Sequence, residues 1–302
     1  MLLCSGLDFY YGSVHRLKNL ALAVPNESLI GLFGHNGAGK STLLRMLGGS
    51  LPIHHGDYSL DSESALDTNG YLRSDWRRQF GVLLEGTSSD DKLSAYQNLV
   101  YSARLMGVSL PLIEDAAIST LKEADLYDRA HEPLKRYSHG MRRRLELYRT
   151  FMHKPKVVLL DEPTAALDVG ESTKFMAFLK QYRRETKASI IMSTHRPDEV
   201  MQCERVIMMK DGRIVSDQPP LSLVVGLDYL LVLLTLADGI DALELFPYLY
   251  EAQRDEAAGL IRAKLPRQNL DGFLKSPLLR GQQVRAFSVE QPTVADAYKD
   301  MV

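Results

Sequence analysis

The stretch of sequence that decides the fold is Leu29-Ile30-Gly31-Leu32-Phe33-Gly34-His35-Asn36-Gly37-Ala38-Gly39-Lys40-Ser41-Thr42-Leu43-Leu44-Arg45-Met46-Leu47. Its beginning is an apolar run that predicts a buried strand, and its end has the residue spacing of a helix. Residues 34–42, between them, match the phosphate-binding pattern G-x-x-x-x-G-K-S/T. A strand, a glycine-rich loop and a helix in this order predict a nucleotide site at the N-terminus of the helix.

The residues of this loop have separate predicted roles around the nucleotide phosphates. Backbone N–H groups must turn inward around the phosphates, where a Cβ would clash, so the loop needs glycines. Lys40 is expected to contact the β and γ phosphates and to take part in catalysis, and Ser41 to bind Mg²⁺. The predicted nucleotide-binding residues of the loop are Gly34, His35, Asn36, Gly37, Ala38, Gly39, Lys40, Ser41 and Thr42.

A second motif supplies two carboxylates. The apolar run from Val157 to Leu160 predicts a strand that ends in Asp161 and Glu162, at the end of the strand where α/β sheets place ligands. Asp161 is expected to hold Mg²⁺, directly or through water. Glu162 is expected to take a proton from the water that attacks the γ-phosphate. An isolated Asp-Glu pair would be read as a solvated turn, but beside a phosphate loop the catalytic role is favoured.

Apolar runs alternate with helical patterns, which predicts an α/β fold with buried, largely parallel strands. The runs lie at 29–33, 80–84, 157–160 and 189–192. A succession of helical patterns from about 88 to 150 predicts a helical insertion. A first domain is therefore expected over residues 1–218 and a small C-terminal α+β domain over 219–302. In the second domain we expect strands at 229–236, 259–265 and 283–289 and a helix at 241–250.

Several ordered motifs make the sequence resemble the ATP-binding-cassette (ABC) ATPases, the nucleotide-binding subunits of ABC transporters. Between the two nucleotide motifs, residues 137–145 read Tyr-Ser-His-Gly-Met-Arg-Arg-Arg-Leu and resemble the family's signature sequence, Leu-Ser-Gly-Gly-Gln, at the start of a helix. Ser138 and Gly140 match that pattern, whereas Tyr137, His139 and Met141 replace the usual residue types. The resemblance implies a P-loop ATPase core of the ABC type with a helical subdomain.

Two further motifs follow in the family's order. Ala166-Leu167-Asp168 is similar to the D-loop, and Ser193-Thr194-His195, after a predicted strand, is similar to the switch-histidine motif. The resemblance implies that Ser138 and Gly140 face the γ-phosphate held by a second cassette, with Asp168 also at the nucleotide. It implies that His195 hydrogen-bonds the γ-phosphate and the attacking water in catalysis.

Two positions are open to more than one interpretation. Tyr11 stands upstream of the phosphate loop where the family has an aromatic residue that stacks on adenine, but Tyr10 is adjacent and either ring could simply pack. Glu85 follows the run at 80–84, where the family generally has Gln. A carboxylate can still bind Mg²⁺, yet it adds negative charge near the triphosphate, and the alternative is a solvated loop residue.

The charge balance of the chain argues against a nucleic-acid-binding protein. The chain has 302 residues, with 36 Lys and Arg against 38 Asp and Glu and a pI of about 6.5, so no nucleic-acid partner is expected. The basic run at 142–144 is expected to pair with carboxylates or phosphate.

Cys4 and Cys203 are the only cysteines, which suits a reducing cytosol. The most apolar stretch, 221–236, is too short for a membrane-spanning helix, so no span is expected.

The resemblance also implies function and partners. We expect an ATPase that binds ATP and Mg²⁺ and pairs head to tail with a second cassette, as a homodimer. Residues 290–298 look like the closing motif of ABC-2-type exporter cassettes, which predicts export through a separate integral membrane permease. The chain would then be peripheral, at the cytoplasmic face of the inner membrane. The C-terminal domain could instead be a regulatory or dimerisation domain that does not indicate export. Two alternatives stay open: a soluble ABC ATPase that acts on ribosomes or nucleic acid, and a non-hydrolysing clamp.

Overall fold

The computed structural model describes residues 1–84, 89–237, 242–255 and 260–301. The chain forms two compact units, Met1–Gln218 and Pro219–Val302. The strands of the first unit are β1 (Leu2–Tyr11), β2 (Val14–Val24), β3 (Leu29–Phe33), β4 (His55–Leu60), β5 (Glu63–Ser64), β6 (Phe80–Leu83), β7 (Val157–Asp161), β8 (Ser189–Thr194), β9 (Arg205–Lys210) and β10 (Arg213–Gln218). Its helices are α1 (Lys40–Leu47), α2 (Ser74–Arg77), α3 (Ala95–Leu105), α4 (Ile113–Glu123), α5 (His139–Arg149), α6 (Val169–Thr186) and α7 (Pro197–Val200).

Six strands of the first unit form its central sheet, in the order β10-β9-β3-β8-β7-β6. Strands β9, β3, β8, β7 and β6 are parallel, and β10 pairs antiparallel with β9. The four apolar runs of the sequence are β3, β6, β7 and β8, and they are almost entirely buried. The predicted α/β fold with largely parallel strands is confirmed. Because parallel strands end at one edge, the residues that follow β3, β7 and β8 come together there.

A second sheet, near the N-terminus, is antiparallel and has the order β2-β1-β4-β5. Its apolar side chains pack with one face of the central sheet in a common core that includes Leu7, Leu17, Leu20 and Tyr58. Sequence periodicity did not indicate this sheet. Register shifts between Cys4 and Leu7, and again after Leu7, interrupt the alternation of inward and outward side chains in β1.

The predicted helical insertion consists of α3, α4 and α5. Ser94 begins α3 with a capping box, in which its hydroxyl accepts from the Gln97 N–H and the Gln97 side chain accepts from the Ser94 N–H. The three helices bury a core of their own that includes Leu99, Leu121 and Leu145. Leu147, near the end of α5, belongs to a core that also contains Val158 and Leu160 of β7, so the insertion packs against the strand that carries the two carboxylates.

The second unit is built on an antiparallel sheet of order β12-β13-β11-β14. Its elements are α8 (Pro220–Val225), β11 (Tyr229–Leu236), α9 (Ala242–Leu245), β12 (Tyr250–Asp255), β13 (Leu260–Pro266), α10 (Leu270–Lys275), β14 (Val284–Glu290) and α11 (Val294–Met301). Its core includes Val232, Leu234, Phe246 and Phe273. The helix predicted at 241–250 is wrong in extent, because Tyr250 already begins β12, which pairs with β13.

The apolar stretch at 221–236 is divided between α8 and β11, and its strand lies in the centre of the sheet of the second unit. Cross-strand packing on both sides explains its apolarity. Over the ranges that the structure describes, no helix combines the length and the apolar character needed to cross a bilayer.

Both cysteines are buried and unpaired. Cys4 lies in β1, and the Cys203 thiol donates to the carbonyl oxygen of Glu199 at 3.5 Å. Burial raises the pKa of each thiol to about 12. These side chains therefore act as small core residues.

We predict that the central sheet depends on Leu159, whose side chain is 0% exposed in β7. Leu159→Ala should lower the free energy of unfolding by about 2–5 kcal/mol, because it removes buried methyl groups and leaves a cavity. Leu105→Ala, the same change at a side chain that is 69% exposed, should change it by less than about 0.5 kcal/mol. Urea unfolding followed by circular dichroism measures both, and equal shifts would contradict the prediction.

Candidate active site

The phosphate loop joins β3 to α1 and lines an open cleft of about 1190 Å³. Gly39 precedes α1 with φ of 108°, a left-handed conformation that favours glycine. At Gly34 a Cβ would lie 2.4 Å from the carbonyl oxygen of Met209, which explains why no side chain fits there. All the predicted loop residues except Ala38 line the cleft, and Ala38 is fully buried beneath it.

Lys40 is the first residue of α1 and its side chain is only 5% exposed. Its Nζ donates hydrogen bonds to the carbonyl oxygens of Gly34 at 2.7 Å and His35 at 3.1 Å. Burial lowers the pKa of Lys40, and the charges of Glu162 and Asp161 partly oppose that shift. An anion in the loop would stabilise the charged form of this ammonium group further.

Asp161 ends β7, and Ser193 in β8 is its register partner. The Ser193 hydroxyl donates to Asp161 Oδ1 at 2.6 Å and accepts from the Glu162 N–H at 2.9 Å. Glu162 has φ of 42°, an unfavourable backbone conformation for a residue with a side chain. The Ser193 hydrogen bond helps to hold this turn, which leaves both carboxylates lining the cleft.

His195 follows β8 and lines the same cleft. Its Nδ1 lies 3.5 Å from Glu162 Oε1, and both side chains are accessible to solvent. The structure thus brings together Lys40, the two carboxylates and the histidine from three separate segments of the chain. A carboxylate and an imidazole this close can share the binding of one water molecule beside a phosphate.

The segment that resembles the ABC signature begins α5. Ser138 is the N-cap of this helix, and its hydroxyl accepts from the Met141 N–H at 3.2 Å. A Cβ added at Gly140 would meet no other atom within 4 Å, so the space beside this residue is open. Tyr137 and His139 line the cleft, whereas Ser138 and Gly140 are not among its lining residues. The two signature residues that match the family pattern therefore do not lie in the cleft of their own chain.

Two other predicted site residues, Asp168 and Tyr11, also lie outside the cleft. Asp168 caps α6, where its Oδ1 accepts from the Glu171 N–H at 2.8 Å, and it does not line the cleft. Tyr11 is 43% exposed, packs edge-on against Phe9 with ring centroids 4.9 Å apart, and is likewise absent from the lining. Glu85 lies outside the described residues. The adenine contact of Tyr11 and the metal contact of Glu85 stay predictions.

The three arginines near the start of α5 make two kinds of contact: two pair with carboxylates, and one donates to backbone carbonyl groups. Arg142 pairs with Asp91 at 2.6 Å and Arg144 with Glu171 at 2.7 Å, as expected for such a run. Arg143 instead donates to three backbone carbonyl oxygens, those of residue 161 at 3.2 Å, residue 162 at 2.8 Å and residue 163 at 3.3 Å. Burial lowers the pKa of this guanidinium group, while the charge of Glu146 partly opposes the shift.

Sequence reasoning missed Arg143, Glu146 and Arg16, which all line the cleft. Burial raises the pKa of the Glu146 carboxyl, and nearby arginines oppose the shift. The signal that could have found Arg143 was the triple-arginine run, since three consecutive positions on a helix point in directions that span about 200° and so make different contacts. Arg16 and Glu146 had no motif to mark them.

The donor chemistry of the cleft fits Mg²⁺. Ser41 and Asp161 offer hydroxyl and carboxylate oxygens, the hard ligands that this ion prefers, and both line the cleft with Lys40. Among the described residues, no group of three or more His, Cys, Asp and Glu side chains could hold a metal ion. Mg²⁺ in nucleotide sites usually takes one or two protein oxygens together with phosphates and water, which agrees with this arrangement.

Comparisons with known proteins agree with the geometry. The family profile described as "ABC transporter" matches residues 17–165. The ABC transporter ATP-binding protein NatA of Bacillus subtilis is 31% identical over 204 residues, which is 67% of this chain and 81% of NatA. The lipoprotein-releasing system ATP-binding protein LolD of Leptospira interrogans is 31% identical over 207 residues, 68% of this chain and 87% of LolD.

A solved structure of the bacterial ABC transporter cassette MJ0796, described as dimeric, superposes with a TM-score of 0.65 at 25% identity. The match covers 72% of this chain and 98% of that one. The residues that the family profile matches include the phosphate loop and the paired carboxylates. By its sequence and its fold, the chain belongs to the ABC transporter ATP-binding proteins and is an ATP hydrolase of that family.

Proposed function

We propose that this chain powers a membrane exporter by closing head to tail with a second, identical chain around two ATP molecules. The observation that carries the proposal is the distribution of the motif residues. Lys40, Glu162 and His195 line the chain's own cleft, whereas Ser138 and Asp168 do not. A second copy, presenting its α5 N-terminus, would supply the missing donors to the γ-phosphate. The dimeric description of the MJ0796 structure supports this arrangement.

In this proposal the motif residues of the cleft divide the chemistry of hydrolysis among them. Lys40 binds the β and γ phosphates, and Ser41 and Asp161 would hold Mg²⁺, which supplies charge neutralisation at the phosphates when bound. Glu162 takes the proton of the attacking water, since its carboxylate projects into the cleft. His195, 3.5 Å from that carboxylate, orients the water and hydrogen-bonds the γ-phosphate.

ATP would then act as the ligand that shifts the chain between an open and a closed dimer. Binding of two Mg-ATP molecules favours the closed state, because each nucleotide contacts both copies. Hydrolysis removes the contact to the γ-phosphate and favours reopening. Arg143 connects α5 to the carbonyl of Glu162 at 2.8 Å, so the helix that meets the second copy's nucleotide is joined to the chain's own catalytic turn.

The work of this cycle would be delivered to a separate integral membrane permease, with the chain at the cytoplasmic face of the inner membrane. Support comes from the helical insertion, which exposes Tyr101, 62% accessible, and Leu105, one turn later on α3. Exposed apolar side chains in one patch mark interaction surfaces. Export, and the ABC-2 subtype, are favoured by the motif at 290–298, which forms the end of β14 and the start of α11.

We predict that Glu162→Gln lowers kcat for ATP hydrolysis by about 10²- to 10⁴-fold, because the amide cannot accept the proton of the attacking water. ATP binding should persist, and the variant should accumulate as an ATP-dependent dimer. Phosphate release and light scattering after gel filtration measure the two effects. Glu185→Gln is the matched control, since Glu185 is exposed on α6 away from the cleft and should leave kcat unchanged. Equal rates for Glu162→Gln and the wild type would refute the catalytic assignment.

A second prediction tests the membrane partner. The tagged chain, purified from its native membranes in mild detergent, should carry a multi-span membrane protein in a fixed ratio. Leu105→Asp should abolish this co-purification while leaving ATP binding by the isolated chain intact, because it places a charge in the exposed apolar patch. Leu274→Asp, an equivalent change on α10 of the second unit, is the control and should retain the partner. Recovery of ribosomal proteins instead of a membrane protein would overturn the transporter assignment.

A further inference from the structure

Glu199, on α7, is a carboxylate that is only 1% exposed. Its Oε1 accepts hydrogen bonds from the Thr164 hydroxyl at 2.5 Å and the Ser172 hydroxyl at 3.1 Å. Its Oε2 accepts from the Thr194 hydroxyl at 2.7 Å, and Arg196 Nη1 lies 3.3 Å from Oε1. Removing a carboxylate from water is costly, and these donors offset that cost.

The three hydroxyl groups belong to three segments that each lead to the site. Thr164 follows Glu162 closely in the turn after β7, and Thr194 is the residue before His195. Ser172 lies in the first turn of α6, just after the D-loop-like segment. The buried carboxylate therefore connects the turn of the proposed general base, the strand end of the histidine and the start of α6.

Glu199 does not line the cleft and so has no direct contact with a bound nucleotide. The hydroxyl of Thr194 also accepts from the Arg196 N–H at 3.0 Å, which extends the network through the backbone on both sides of His195. Networks of this kind fix the geometry of the groups that they join, because each hydrogen bond restricts the positions of its donor and its acceptor.

We propose that Glu199 is a positioning residue that sets the relative placement of Glu162 and His195 at the γ-phosphate. This inference rests on the catalytic roles proposed above for those two side chains. Hydroxyl donors at both ends of one carboxylate keep the Glu162 turn and the His195 turn at a fixed separation. The nucleotide-binding loop has no part in the network, so ATP affinity should not depend on it.

Glu199→Gln is the decisive variant, because the side chain keeps its shape but one of its two oxygens becomes an NH₂ group that cannot accept a hydrogen bond. The full-length variant should lose about ten- to a hundredfold in kcat through misplacement of the reacting groups. Its KM for ATP and its ATP affinity should change by less than about twofold, since binding groups are untouched. Asp198→Asn is the matched control: Asp198 is exposed, pairs with the same Arg196 at 3.0 Å, and should retain the kcat of the wild type.

A pair of variants at Thr164 tests the proposal even if Glu199→Gln does not fold. Thr164→Val removes one hydroxyl donor with little change of shape, whereas Thr164→Ser keeps it. The valine variant should show the same loss of kcat at constant KM, and the serine variant should restore most of it. Equal kcat values for the valine and serine variants would overturn the proposal.

A double-mutant cycle separates positioning from a merely structural role. Single-turnover hydrolysis of radiolabelled ATP is measured for His195→Ala, for Glu199→Gln and for the combined variant. If Glu199 acts partly through His195, the combined loss should fall short of the product of the single losses by more than about threefold. A fully multiplicative loss would overturn the proposal.

The outcomes also separate this inference from the proposed function. If Glu162→Gln and His195→Ala both keep the wild-type kcat, the catalytic roles fail and the positioning role fails with them. If both variants lose kcat while Glu199→Gln keeps it, only the positioning role is refuted.

Discussion

The hydrogen bond from the Ser193 hydroxyl to the Asp161 carboxylate joins β7 and β8 at the edge where the cleft opens. A carboxylate this deeply buried must have such a donor, because an unpaired charge would be expelled or neutralised. The same hydroxyl accepts from the Glu162 N–H, so one side chain holds the buried acid and the left-handed turn after it. The contact of Glu162 with His195 and the carbonyl contacts of Arg143 both depend on that turn.

Each part of the molecule that the sequence predicts well is a single continuous segment of the chain. The phosphate loop and its flanking elements are one segment, and the four apolar runs became strands within a residue or two of the expected bounds. Glu199 could not be found in this way, because Thr164 stands 35 residues before it and only the folded sheet brings them together. The N-terminal sheet was missed because register shifts in β1 break the two-residue period.

The first unit separates two kinds of residue that the motifs alone do not distinguish. Lys40, Asp161, Glu162 and His195 converge on one cleft. Under the proposed function, this cleft binds the nucleotide and holds the attacking water molecule next to it. Ser138 and Asp168 instead cap the N-termini of α5 and α6 and do not line the cleft. Under the proposed function, each chain supplies half of each ATP site. Hydrolysis then requires that two chains assemble into the closed dimer.

The burial of both cysteines has a practical consequence. Burial raises the pKa of each thiol well above its usual range, so at neutral pH both stay in the unreactive protonated form. A new cysteine on the surface would react with maleimide or a spin label far faster than Cys4 or Cys203. Distances within this chain, or between two copies of it, can therefore be followed by fluorescence or electron paramagnetic resonance without first replacing the natural cysteines.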